Sequence, residues 1–238
     1  MPRLSLKDLE LINIVISDIY AIREPGEFIK KLIAALNNLF SSDLLSYNEF
    51  NAQFRITRLC AESTDHENFS KKHMAALNAY MPTHPGFSIA NIDRCTMISD
   101  LVKPSDFKKS ALYNEYYRHM DIQTQMFTEL PGPSGIRPVL AFSRNRYGFT
   151  EEERLMLGLV KPHIINAYRN ALEWDLYKTF SKRERPPLHF TNSALRSGRQ
   201  LFLNGQPRVK PTRRSPLYSA SAGGLLKNTL SAYMKSWG

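Results

Sequence analysis

The chain has 238 residues, 42% apolar and 23% charged, enough for one medium domain with a packed core and a smaller second unit. No apolar run reaches membrane-spanning length and no signal-peptide pattern opens the sequence, which argues against a helical span and makes a cytoplasmic protein with no membrane partner the expectation. Of the 32 basic and 22 acidic residues, twelve basic and one acidic fall from Lys178 onward, so the first 177 residues carry 20 against 21 and the whole net charge of +10 resides in the tail.

The predicted elements begin with a helix over Leu6–Ile22, capped by Ser5 and Asp8, with Leu9, Ile12, Ile16, Ile19 and Tyr20 on its apolar side. Pro25 and Gly26 are read as its end, and a second helix follows over Glu27–Phe40. LLSYNEF (Leu44–Phe50) and FRITRLCA (Phe54–Ala61) alternate and meet near Asn51, which predicts an antiparallel hairpin. Asn68–Ala79 reads as one helix, stopped by Pro82, Pro85 and Gly86. Cys95–Ser99 is a candidate short strand, and Ser105 and Ser110 are candidate caps for helical turns.

Gln123–Leu130 and Ile136–Asn145 alternate around PGPSG and predict a second hairpin, with Pro138 placing that strand at an edge or a bulge. The last long stretch, Phe149–Phe180, is headed by a capping box of Thr150 and Glu153. Apolar positions recur along Leu155, Leu159, Pro162 and Asn166 and along Met156, Val160, Ile164, Ala167 and Ala171; Pro162 predicts a kink or break near Lys161–His163. Helices first, strands between and a helix last give an α/β sandwich: an antiparallel sheet with flanking helices.

Catalytic chemistry finds no constellation. The six histidines are scattered, and no glycine-rich phosphate loop or nucleophile elbow occurs, so the chain is not read as an enzyme and no cofactor is expected. Cys60 and Cys95 lie near no histidine pair with ligand spacing; both are read as reduced and structural, with no metal. The richest concentration of aromatic and polar side chains is Tyr113, Tyr116, Tyr117, His119, Met120 and Asp121, and it is the candidate lining of a small-molecule site, though the same tyrosines also suit core and sheet cover.

SYNEF, the His84-Pro85 turn, ISDLVKPSDFKKSALYNEYYRHMD and FTEEERLMLGLVKPHIINAYRNA together resemble the GAF-like N-terminal domain of LuxR-type transcriptional regulators, over most of Ser5–Leu172. The resemblance implies a GAF/PAS-like sensor and dimerisation domain over 4–177, pairing into a homodimer through the Thr150–Tyr177 helix, and a helix-turn-helix DNA-binding domain over 178–238. FSKRER (Phe180–Arg185) stands where that second domain opens, and GLLKNTLSAYMK is similar to its closing stretch. Between them lie Pro186, Pro187, Pro207, Pro211 and Pro216, and a recognition helix cannot be laid through PRVKPTRRSP.

The tail therefore reads as a degraded helix-turn-helix that keeps its charge. Arg183, Arg185, Arg208, Lys210, Arg213 and Arg214 are the candidate phosphate contacts, and DNA binding is expected to be weak or lost. Acyl-homoserine-lactone receptors of the family use a tryptophan, tyrosine and aspartate set in the sensor domain. Trp174 is the only tryptophan of this body, which argues against that ligand. The alternative to a DNA-binding regulator is a stand-alone sensor and dimerisation module that titrates intact relatives.

Overall fold

A computed structural model describes residues 2–183 apart from Phe40 and residues 89–93. Five strands form one antiparallel sheet in the order β2-β1-β5-β4-β3: β1 Leu44–Phe50, β2 Ile56–Ala61, β3 Thr96–Met97, β4 Thr124–Glu129 and β5 Arg137–Arg144. Three helices cover one face, α1 Leu6–Ala21, α2 Pro25–Leu36 and α7 Glu151–Arg183. The other face lies under a layer of shorter helices, α3 Thr64–Lys72, α4 Met74–Tyr80, α5 Pro104–Phe107 and α6 Ala111–Glu115. This is the expected GAF-like sandwich.

Strand alternation divides the core in two. On β1 and β5, Leu45, Tyr47, Leu140 and Phe142 point to the long helices, whereas Leu44, Phe50, Val139 and Ala141 point to the short ones. The central strand β5 is buried on both faces, which is why PVLAF within it reads as a continuous apolar run.

Both predicted capping boxes form. Asp8 N–H donates to Ser5 Oγ at 3.2 Å and Ser5 N–H donates to the Asp8 carboxylate at 2.8 Å; the Thr150–Glu153 pair repeats this at 3.2 and 2.8 Å. Arg144, at the end of β5, forks onto the Glu153 carboxylate at 2.5 and 3.1 Å, anchoring the start of α7 to the sheet.

Five expectations need correction, the last of them in α7. Pro25 opens α2 instead of closing α1, because a proline at the first helical position gives up only an amide that would be unpaired anyway. Asn68–Ala79 is not one helix: α3 ends at a cap on His73, whose backbone leaves helical geometry at φ −100° and ψ 15°, and α4 begins after it. Ser110 caps α6, but Ser105 sits inside α5, where Lys103 is the cap residue. Pro138 lies in β5, the central strand, not at an edge or bulge. The missing donor falls just past the last paired residues of the ladder to β4, Glu129 and Val139, where Leu130 N–H still donates to the Pro138 carbonyl at 2.8 Å.

Pro162 does not break α7, which runs unbroken across position 177 to Arg183. The proline and Gly158, whose carbonyl it cannot bond, are both exposed, so the orphaned acceptor is open to solvent. The line containing Leu159, Pro162 and Asn166 is accordingly exposed, and the neighbouring one of Met156, Val160, Ile164, Ala167 and Ala171 is the buried side.

Candidate functional site

Between the sheet and the short-helix layer lies a cavity of about 700 Å³, including its open mouth. Its floor comes from alternate residues of β1, β5 and β4; its roof comes from α3, α4, the turn after α4 and the segment after α6. Small side chains at the centre of the floor, Ser46 and Ala141, face one another across paired strands and leave the space open. Phe50, Phe87, Phe127, Tyr116 and Tyr117 supply aromatic wall. Not one Asp, Glu, Lys or Arg is among the described residues that line it.

A chain of hydrogen bonds crosses the cavity wall, and its direction can be derived. Gly86 N–H can only donate, and it donates to His84 Nδ1 at 3.0 Å. Burial pushes the His84 imidazole down to about 4, its bond to Gln125 only partly opposing this, so the ring is neutral near pH 7. The one ring proton must then sit on Nε2, which donates to Gln125 Oε1 at 3.2 Å; Gln125 Nε2 in turn donates to Ser143 Oγ at 3.1 Å. Gln125 and Ser143 are directly opposite on β4 and β5, and the sheet register fixes their separation.

Gly86 is required by this arrangement. A Cβ there would lie 2.6 Å from Phe127 Cζ and 3.0 Å from His84 Nδ1.

Two more polar pairs face the same space. The Ser70 and Tyr116 hydroxyls are 2.6 Å apart, and Asn48 Nδ2 donates to Ser46 Oγ at 3.0 Å. Burial raises both Tyr116 and Tyr117 above the usual phenol range, with the adjacent Tyr116 adding to the shift of Tyr117. His66 of α3 also lines the cavity, and its buried Nδ1 has no hydrogen-bond partner among the described residues.

Of the residues singled out from the sequence, Tyr116 and Tyr117 reach this cavity, their rings 5.5 Å apart. Tyr113 packs on Phe107 at 5.6 Å, His119 is exposed and stacks on His73 at 6.4 Å, Met120 is partly buried in the second core, and exposed Asp121 closes the turn with left-handed backbone at φ 52°. These four do not line it. Arg185, Arg208, Lys210, Arg213 and Arg214 lie outside the described residues, and Arg183 is described only as the last residue of α7.

Sequence reasoning missed Ser46, Asn48, His66, Ser70, Gln125 and Ser143, and used His84 only as part of a motif. A signal was present: Ser46 and Asn48 share the strand phase of Leu44 and Phe50, and Gln125 and Ser143 share that of Phe127 and Ala141. Polar residues on a buried phase mark a lined cavity or a buried network.

No protein-family profile matches the chain, and no curated protein matches it. Among solved structures, the VqsR LBD domain from Pseudomonas aeruginosa is similar over 71% of this chain and 99% of its own, at 15% identity and a TM-score of 0.49. The N-acylhomoserine lactone dependent LuxR family factor CepR2 from Burkholderia cenocepacia is similar over 71% and 98%, at 13% identity and a TM-score of 0.48. Escherichia coli SdiA is similar over 77% and 74%, at 13% identity and a TM-score of 0.46. Likenesses of this order assign no ligand and no family.

Proposed function

We propose that this chain is the sensor domain of a LuxR-type transcriptional regulator, and that it takes an uncharged small molecule into the cavity between the sheet and the short helices. One observation carries the ligand class: aromatic and aliphatic walls with hydroxyl, amide and neutral imidazole groups, and no formal charge among the described lining residues. An ionised ligand entering such a space would lose hydration without gaining a counter-charge, whereas a neutral polar group finds both donors and acceptors. The Ser5–Leu172 sequence blocks supply the regulator reading.

The test is a melting-temperature screen of the full chain against neutral amphiphiles and their ionised analogues, with Ala141→Leu closing the floor and Gln125→Ala cutting the polar chain. Neutral compounds are expected to raise the melting temperature. Ala141→Leu is expected to abolish the effect, and Gln125→Ala to weaken binding by about tenfold, the worth of roughly one hydrogen bond. Ligands confined to ions, or binding unaffected by Ala141→Leu, would overturn the reading.

On the output side we propose pairing through α7 and a salt-sensitive, weakly selective contact of Arg183, Arg185, Arg208, Lys210, Arg213 and Arg214 with DNA phosphates. A specific DNA site bound tightly at physiological salt would contradict the degraded reader. The second reading is the stand-alone module that titrates relatives, and what favours it is the aromatic surface on α7: Trp174 and Tyr177 are stacked at 5.9 Å while 44% and 64% exposed. It requires co-purification of this chain with an intact relative.

A further inference from the structure

On the opposite face of the sheet, a second cavity of about 730 Å³, including its open mouth, lies between α2, α7 and the turn that joins β4 to β5. Phe28 and Leu32 of α2, Ile164 and Tyr168 of α7, and the prolines of the β4–β5 hairpin wall it. Its floor is Tyr47 and Glu49, two residues apart on β1 and therefore on the same side. Unlike the first cavity it contains a charge, and Glu49 is the one charged residue among its described lining.

Among the described residues, both hydrogen-bond partners of the carboxylate meet one of its two oxygens. The Tyr47 hydroxyl donates to Oε1 at 2.9 Å, and Arg58, opposite Glu49 on β2, reaches the same oxygen at 3.3 Å. Neither bond engages Oε2, and a carboxylate can accept about four hydrogen bonds. The Arg58 side chain is 44% exposed, so water screens its charge and leaves the carboxylate an effective anion. Next to it the Tyr168 ring, partly buried and tilted against Phe28 at 4.9 Å, offers an aromatic surface that attracts cations.

We propose that this cavity is a second ligand site, one for a small primary ammonium on an aryl or alkyl body. The ammonium donates to Glu49 Oε2, and the apolar body rests against Phe28, Tyr168 and the hairpin prolines. The two faces of the sheet are thereby complementary in what they admit, neutral molecules on one and cations on the other. The occupant of the second touches α7 directly through Ile164, Ile165 and Tyr168.

The test is calorimetric titration of the full chain with phenethylammonium chloride and with its uncharged counterpart 2-phenylethanol. The wild type is expected to prefer the ammonium by about tenfold or more, the worth of a charge-assisted hydrogen bond. Glu49→Gln, which can still accept from Tyr47, is expected to remove that preference. Glu10→Gln, an exposed acid on α1, is expected to leave it intact. Ile165→Trp fills the cavity from a half-buried helical position and is expected to abolish binding of both compounds; it decides the matter if Glu49→Gln does not fold. Equal wild-type affinities, an ammonium preference that survives Glu49→Gln, binding that survives Ile165→Trp, or no saturable binding up to about 10 mM would each overturn the proposal.

Discussion

Protonation of His84 gives a prediction that can be worked through in full. The ring is 7% exposed and its environment pushes it from 6.5 down to about 4. In the unfolded chain the same ring titrates near 6.5, so between these two values the unfolded state binds a proton that the folded state refuses. Stability therefore rises with pH across this window, is fully present above about 6.5, and is lost as pH falls toward 4. At about 1.4 kcal/mol per pH unit, the loss is about 1.4 kcal/mol at pH 5.5 relative to pH 7.5, and about 3 kcal/mol once the folded state is protonated too.

Urea unfolding of the wild type and His84→Gln at a series of pH values measures it. Gln cannot take up a proton, so the difference between the two stability curves should shrink steadily below pH 6.5 and isolate His84 from the other histidines. Protonation would also reverse the hydrogen-bond logic, because a charged ring donates from both nitrogens and the Gly86 N–H would lose its acceptor. A wild-type and a variant curve that run parallel from pH 7.5 to 5.0 would refute the buried neutral imidazole, and with it the derived direction of the His84–Gln125–Ser143 chain.

Other outcomes follow from single contacts. Gly86→Ala should cost about 1–3 kcal/mol in chemical denaturation, since the added carbon meets Phe127 at 2.6 Å in a packed wall; a neutral effect would mean that the turn yields freely. Thr150→Ala should lower stability by about 1 kcal/mol through loss of the cap on α7, with Thr150→Asn retaining most of it. Pro162→Ala should raise the melting temperature, because it restores a donor for the Gly158 carbonyl on the solvent side at no packing cost, with a gain of up to about 3 kcal/mol in unfolding free energy. A destabilised Pro162→Ala would show that α7 depends on the proline for its course.

The sequence by itself determined the local chemistry: the caps at Ser5 and Thr150, the four main strands to within two residues at each end, and the helical periodicity of α7, while packing decided that of its two apolar lines the one through Met156, Val160, Ile164, Ala167 and Ala171 is buried. Each rests on contacts between residues three or four apart, or on a period of two, and such spacings are visible in one dimension. Prolines misled, because whether an absent donor matters depends on what faces it: water at Pro162, a ladder end at Pro138, a helix start at Pro25.

Tertiary structure alone decided the cavities. Tyr116 and Tyr117 were legible as an aromatic cluster, but their partners were not, since Ser70, His84, Gln125 and Ser143 come from a helix, a turn and two strands and meet only when the sheet register and helical roof are fixed. The same holds for Glu49, which folding sets between a tyrosine hydroxyl and a wall of prolines. Chain spacing determines which side of an element is apolar; the pairing of elements determines which polar group on that side is left facing empty space.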